Sequence, residues 1–532
     1  MKRLLFFFLI GVPGILISQP FPDPSIDIQR YDFRLEITDN SNEIKGEAVV
    51  AVKFTRAGVK SFSLDLANQS AATAKKGMRV SAVLMDNMPV SFTHRTNRLE
   101  IAPGNSPEAG SVKSFVIRYE GIPAKGLNIS ENKYGHRAFF GDNWPNNAHN
   151  WLPVVDHPLD KALVSFTIIA PQKYQVVANG ALKEETDRAD GTRLTRWECG
   201  VPIPTKVMVF GAAEFAVEYV GDVYQIPVSS WVYPEERVAG FYDYAHALNV
   251  LRFMIDYIGP YPYEKLANVQ STSIYGAMEN ASCIFYSESS IVGNRSNEDL
   301  LAHEIAHQWF GNSASEASWY HIWISEGFAT YFKHLYMESV YGKTRLAEGM
   351  AIDRQTILQQ GPNEPVVNEN ITNLNQLLSV NAYEKGGWVL HMLRNEVGDE
   401  VFHQGIRAYY EKYKLSNALT EDFRKVMEEV SGKDLKPFFD QWLFRAGHPK
   451  LKVAWNYDPK KKKLQITIMQ TQSGEPFHFP LEIAVAGKNQ AEQEIISLNI
   501  TQKEETFEVG VKNTPESLVI DPGVKLLFEA GK

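Results

Sequence analysis

Short alternations of apolar and polar residues dominate positions 26–215, as in 32–37, 48–54 and 164–168, with Gly, Asn, Asp and Pro clusters between them. A period of two over short runs marks half-buried strands, so this region is predicted to be an all-β domain. The period then lengthens. Apolar residues recur at helical spacing over 241–258, 297–310, 326–341 and 383–397, with strand-like runs at 268–271 and 281–286. After Gly447-His448-Pro449 alternation returns, over 464–469, 481–485 and 494–500, enough for a small β-sandwich. The expected fold is multidomain α+β: an N-terminal all-β domain over 19–215, a mixed and increasingly helical domain over 216–446, and a C-terminal β-sandwich over 447–532. No internal repeat or low-complexity linker interrupts this order.

The first residues stand apart from this pattern. Lys2 and Arg3 precede an apolar run from Leu4 to Ile17 that ends at Ser18, the order of a secretory signal peptide over 1–18. The run is interrupted by Pro13 and falls short of the roughly 20 residues a membrane span needs. No later stretch approaches that length, so the mature chain is expected to be exported, periplasmic or extracellular, without a transmembrane segment.

Composition narrows the picture further. A length of 532 residues exceeds what one core supports, and 44% hydrophobic with 22% charged residues is ordinary for a globular protein. The net charge of -9 gives no reason to expect a nucleic-acid partner. The basic run Lys460 to Lys463 follows Pro459 and reads as a solvated hairpin turn. Two cysteines, Cys199 and Cys283, make no disulfide framework; one bridge and two buried thiols both remain open. The sequon at Asn280 falls inside a motif described below, where a glycan would block function, and the six sequons are read as chance. Oligomeric state is not legible.

The candidate chemistry begins at His303-Glu304-Ile305-Ala306-His307. Positions four apart share a helix face, so both imidazoles can meet one ion. A catalytic zinc takes three protein ligands and keeps one position for water. Glu304, beside the first histidine, reaches that water without occupying the metal. Two helix histidines with unrelated partners is the bland alternative. Glu326 lies nineteen positions beyond His307, far enough for a turn and a second helix to return a carboxylate to the ion.

Further motifs flank this pair: Gly276-Ala277-Met278-Glu279-Asn280 upstream, and Trp323-Ile324-Ser325-Glu326-Gly327 and Tyr383-Glu384-Lys385-Gly386 downstream. In this order they closely resemble the M1 family of zinc aminopeptidases, the gluzincins that include aminopeptidase N and leukotriene A4 hydrolase. The resemblance implies a thermolysin-like catalytic domain and one zinc ion held by His303, His307 and Glu326. It implies Glu304 as general base, Glu279 as the anchor of a peptide's free α-ammonium and Tyr383 as donor to the developing oxyanion. Gly276 and Ala277 would offer backbone groups to the peptide, with Met278 and Asn280 completing the substrate-binding stretch. Substrates would be peptides with a free N-terminus. Tyr275 and Met278 would line the first side-chain pocket, and Trp309, Phe310, Trp323 and Phe328 would pack behind the metal helices.

Three departures qualify the resemblance. Some relatives use an N-terminal-domain glutamine for the amine, but the matching stretch, residues 141–147, contains none, leaving Asp142 or Asn143 as substitutes. His321 and Ser325 stand where aspartate and asparagine are common, changes expected to alter ligand support rather than metal binding. After 446 only a short β-patterned segment follows where many relatives have a large helical domain, which implies a more open cleft. A zinc endopeptidase and a catalytically silent peptide-binding protein are the competing readings.

Overall fold

The computed structural model describes residues 22–70, 75–487 and 493–531. The predicted leader lies outside the described residues. The chain opens on an eight-stranded sheet in which Ile26–Glu36 pairs antiparallel with Ile44–Phe54 and parallel with Ala162–Pro171. Its alternation follows the expected pleat: Tyr31, Phe33 and Leu35 are buried on one strand, and Ala48, Val50, Val52 and Phe54 on the next. A four-stranded sheet follows, including Leu127–Glu131 and Arg137–Gly141, and it delivers Asp142 towards the site. A smaller sheet of Phe62–Asp65, Ser91–Arg95 and Arg98–Ala102 completes this β-rich region.

The middle region is built on a five-stranded sheet in the order Ala216–Val223, Ile226–Val232, Leu266–Ser271, Cys283–Ser287 and Ala277–Met278. Helices then take over: α1 (Arg237–Tyr244), α2 (Ala247–Ile258), α3 (Glu298–Ala306), α4 (Trp323–Tyr341), α5 (Lys343–Gln360), α6 (Gly386–Val397), α7 (Asp399–Tyr413), α8 (Thr420–Ser431) and α9 (Lys436–Leu443). The apolar run over 241–258 spans two helices rather than one. Leu248 and Asn249 donate to Ala245 and His246 three residues back, which tightens the turn and kinks the run. A further departure is the π-helical turn Asn381–Lys385 that leads into α6.

Glycines decide how closely two of these elements approach. A Cβ on Gly327 would stand 2.8 Å from Gly386 backbone atoms, and one on Gly386 would stand 3.0 Å from the Gly327 Cα. Only paired glycines let α4 and the start of α6 touch backbone to backbone, which carries the preceding turn against α4.

Buried ammonium groups pin the first β region to the helical one. Lys161 Nζ donates to the carbonyls of Asn312, Ser313 and Ser416, and Lys206 pairs with Glu316 at 2.7 Å with both side chains almost fully buried. Lys265 donates to Ala178 O at 2.7 Å. Cys199 and Cys283 are unpaired buried thiols, each pushed up to about 12 by burial.

The C-terminal strands form a four-stranded and a three-stranded sheet whose inward residues, among them Leu464, Ile466, Ile468, Leu481 and Ile483, are buried. Lys460 to Lys463 turn the hairpin between Lys450–Asp458 and Lys463–Gln470. Among the described residues no helix is long and apolar enough to cross a membrane.

Candidate active site

Helices α3 and α4 pack against each other and run antiparallel. Glu326 in the first turn of α4 meets the C-terminal half of α3, while the Tyr336 hydroxyl further along α4 donates to Glu298 at the start of α3. This places three donor atoms together: His303 Nε2 and His307 Nε2 lie 3.1 Å apart, and Glu326 Oε2 lies 3.6 Å and 3.3 Å from them. A tetrahedral ion with ligands at 2.0–2.1 Å requires donor separations of about 3.3–3.4 Å, so the triad is spaced for zinc.

The surrounding bonds support the same fit. His307 Nδ1 faces the Phe310 carbonyl at 3.2 Å and the Ser325 hydroxyl at 3.1 Å. A carbonyl only accepts, so its partner nitrogen carries the proton and Nε2 keeps its lone pair for the ion. Gly311 at φ +104° makes the turn that brings the Phe310 carbonyl round, and a Cβ there would strike Ser325 Oγ. Ser325 thus orients a ligand. His321 does not approach the triad: its Nδ1 accepts from the Thr420 N–H at 3.1 Å, and Trp323 Nε1 donates to the Thr420 hydroxyl.

The protein's own charges call for a cation here. Burial alone lowers His307, but Glu326, Glu279 and Glu304 outweigh it and draw the imidazole up to about 9. Burial lowers His303 to about 4, against the pull of Glu326. Burial opposes the ionised form of Glu326, yet the two histidines hold it well below the usual carboxylate range. Glu304 is pushed up to about 8 by burial, with Glu279 and Glu326 adding to the rise. Its carboxylate, that of Glu279 and His307 also place one donor atom each within 4.8 Å of one another.

Glu279 follows the edge strand Ala277–Met278. Its backbone carbonyl accepts from Gln308 Nε2 at 2.9 Å and Asn312 Nδ2 at 2.6 Å, which fixes it just past His307. The side chain is 5% exposed and its Oε1 has no hydrogen-bond partner. On the edge strand, Gly276 O is taken by the Ser287 N–H at 3.0 Å. Alternation then turns both Ala277 backbone groups away from the sheet, towards an unpaired edge. Met278 is buried on the cavity wall and Tyr275 is more exposed there. Asn280 is fully buried, and neither side-chain polar atom has a partner.

The π turn sets Tyr383 beside the metal triad, its ring stacked on that of His303 at 5.9 Å between centroids. Burial, then Glu326, Glu279 and Glu304, raise its phenol well above the ordinary value, so it stays a donor. Trp309, Phe310, Trp323 and Phe328 are fully buried behind the helices. The metal triad, Glu279, Glu304 and Tyr383 line a cavity of about 380 Å³.

Of the two N-terminal substitutes, Asn143 is spent on structure: it donates to Thr205 O and Met208 O and accepts from Trp151 Nε1. Asp142 keeps a buried, unpartnered Oδ1. Burial, with Glu279 adding to it, raises Asp142 to about 6. Several cavity residues escaped the sequence reading, Asp299, Leu300, Lys333 and Leu378, although the position of Lys333 seven past Glu326 on the same helix face was a usable signal.

The fold and donor set define a protein built to hold one metal ion between a two-histidine helix and a glutamate on the next. Comparisons with known proteins place it more closely. The Peptidase M1 N-terminal domain profile matches residues 28–207 and the Peptidase family M1 domain profile matches residues 242–442. A Bos taurus glutamyl aminopeptidase is 27% identical over 379 residues, covering 67% of this chain and 39% of that protein. Saccharomyces cerevisiae aminopeptidase 2, mitochondrial, is 23% identical over 528 residues, covering 92% of this chain and 53% of its own length. The crystal structure of an M1 zinc metallopeptidase from Deinococcus radiodurans aligns with a TM-score of 0.67 at 23% identity, over 79% of this chain and 93% of that one. This chain belongs to peptidase family M1. It spans 39% and 35% of the first two curated relatives it matches.

Proposed function

We propose that this protein is a zinc-dependent aminopeptidase that hydrolyses the first peptide bond of peptides with a free N-terminus. The observation that carries the reading is the Glu279 carboxylate, buried beside the metal triad with an oxygen that no protein group satisfies. Such an oxygen is costly unless a cationic partner arrives, and a peptide's α-ammonium supplies one. Asp142, with its own unpartnered oxygen, supports amine binding from the N-terminal side.

His303, His307 and Glu326 hold the zinc. When bound, zinc supplies Lewis-acid activation of water and of the scissile carbonyl. Ala277 pairs its outward N–H and C=O with the peptide backbone, in the manner of an added strand. Glu304 takes the proton of the attacking water and returns it to the leaving amine; burial holds its carboxyl in the range where both transfers are accessible near neutral pH. Tyr383 donates its O–H to the carbonyl oxygen as negative charge develops there. Glu279 fixes the amine, so the bond presented for attack is the first one.

The test compares aminoacyl-p-nitroanilides with their N-acetylated forms, with and without a zinc chelator. Hydrolysis of free amines alone, lost on chelation and restored by zinc, is expected. Equal rates on blocked substrates would point to an endopeptidase, and zinc binding without hydrolysis to a peptide-binding protein. The basic, apolar and small-residue order of residues 1–18 supports export; an intact Met1 on protein recovered from the secreting cell's periplasm or medium would count against cleavage.

A further inference from the structure

Lys333 is the one lysine or arginine among the described residues that line the catalytic cavity, whose walls also carry the carboxylates of Glu279, Asp299, Glu304 and Glu326. Despite these acids, its ammonium makes no ion pair or hydrogen bond among the described residues. A flexible four-carbon stem next to so much negative charge would ordinarily find a partner. Asp299, which also lines the cavity, has its Oδ1 taken by the Leu300 N–H at 2.9 Å.

The antiparallel packing of α3 and α4 fixes where Lys333 sits relative to the rest of the site. Glu279 lies past His307, held by Gln308 and Asn312 beyond the C-terminal end of α3. Lys333 lies in the other direction. It follows Glu326 by seven residues, about two turns and 10 Å along the same face of α4. Three residues later Tyr336 reaches Glu298, at the N-terminal end of α3. The cavity is therefore polarised, with an unsatisfied carboxylate at one end, the metal triad in the middle and a half-buried ammonium without a protein partner at the other.

We infer that Lys333 selects substrates that carry a carboxylate just beyond the bond to be cut. The inference rests on the aminopeptidase reading: with the α-ammonium at Glu279 and the first carbonyl at the triad, the following residue points towards Lys333. Two sources present that carboxylate, an aspartate or glutamate side chain at the second residue and the free C-terminus of a dipeptide. Lys333 is a specificity residue for either, and it takes no part in bond breaking.

The experiment measures kcat and KM for two matched pairs, Leu-Glu-amide against Leu-Gln-amide and Leu-Gly against Leu-Gly-amide, with leucyl-p-nitroanilide as the carboxylate-free reference. In the native protein at least one pair is expected to favour the carboxylate by about 10-fold or more in kcat/KM, mainly through KM. The first pair reports a side-chain source and the second a chain-end source. Lys333→Met should bring that ratio close to one, and Lys333→Arg should restore most of it. Taking the ratio within each variant removes any general loss of fold or metal. A native ratio near one in both pairs, or a ratio that survives Lys333→Met, overturns the inference while leucyl-p-nitroanilide turnover keeps the aminopeptidase reading intact. Failure to cleave leucyl-p-nitroanilide at all overturns the aminopeptidase reading, and the inference falls with it.

Discussion

Two histidine clusters share α4 and the segment leading into α6, the first adding the histidines of α3, and they are finished differently. α4 carries Glu326 and, eight residues on, His334; the segment entering α6 carries Tyr383 and, eight residues on, His391. In the first cluster the imidazole nitrogens of His303 and His307 face each other 3.1 Å apart, a contact in which two lone pairs repel unless a proton or metal ion lies between them. In the second, the polar atoms are matched. His334 Nε2 meets Asp353 Oδ2 at 2.7 Å, the Tyr331 hydroxyl meets His391 Nδ1 at 3.1 Å, and His391 Nε2 meets the Val524 carbonyl at 2.9 Å. Burial and residue type are shared. What separates the two clusters is that the first brings three donor atoms to one point, with the open Glu279 carboxylate beside them, whereas the second spends its nitrogens on protein acceptors and a hydroxyl.

The comparison can be broken most sharply at the open cluster. Glu304→Gln should lower turnover of aminoacyl-p-nitroanilides by about 10²–10⁴-fold while the protein keeps its zinc, measured as metal per chain after dialysis. Loss of the metal along with the activity would make Glu304 a structural support instead. Next in size, Glu279→Gln should cost about 10–150-fold in kcat/KM on free amines, the scale of one hydrogen bond to a charged group, with blocked substrates still uncut.

The matched cluster should respond in stability, not turnover. Asp353→Leu removes the acceptor of His334 and should cost about 1–3 kcal/mol in unfolding free energy with kcat within about twofold of the native value. The smallest effect expected is a pH dependence. Burial lowers His391 to about 4 from an ordinary 6.5, so its contribution is fully present above pH 6.5 and is lost as pH falls towards 4. The native Tm should therefore drop between pH 7 and pH 5, and the drop should be shallower in His391→Gln. Equal slopes would mean that other groups set the acid limit.

Much of this was legible from residue order, and the limits have physical causes. His303 and His307 could be paired in advance because helical periodicity converts spacing into direction, and Glu326 joined them through the resemblance to the M1 motifs. The alternation over 32–37 could be read because a period of two converts sequence into faces, although the strand begins earlier, at Ile26. The roles of Asp142 and Asn143 could not, since adjacent residues on an irregular segment carry no period that says which one is spent on Thr205 and Met208. The kink at Ala245 and His246 was hidden for a similar reason: the apolar pattern runs through it without Gly or Pro. Lys333 was legible in position but not in meaning, because residue order does not say whether an ammonium finds a protein partner.

The contact of Gly327 with Gly386 has a mechanical consequence. With no side chains between them, α4 and the turn bearing Tyr383 touch through atoms that have no rotamers to adjust, so a displacement of one is transmitted stiffly to the other. The backbones that carry Glu326 and Tyr383 are thus held at a fixed separation. A substitution that swells either glycine would push the metal ligand and the turn bearing the hydroxyl apart together with their helices, so the accuracy of the cut depends on two residues that touch no substrate.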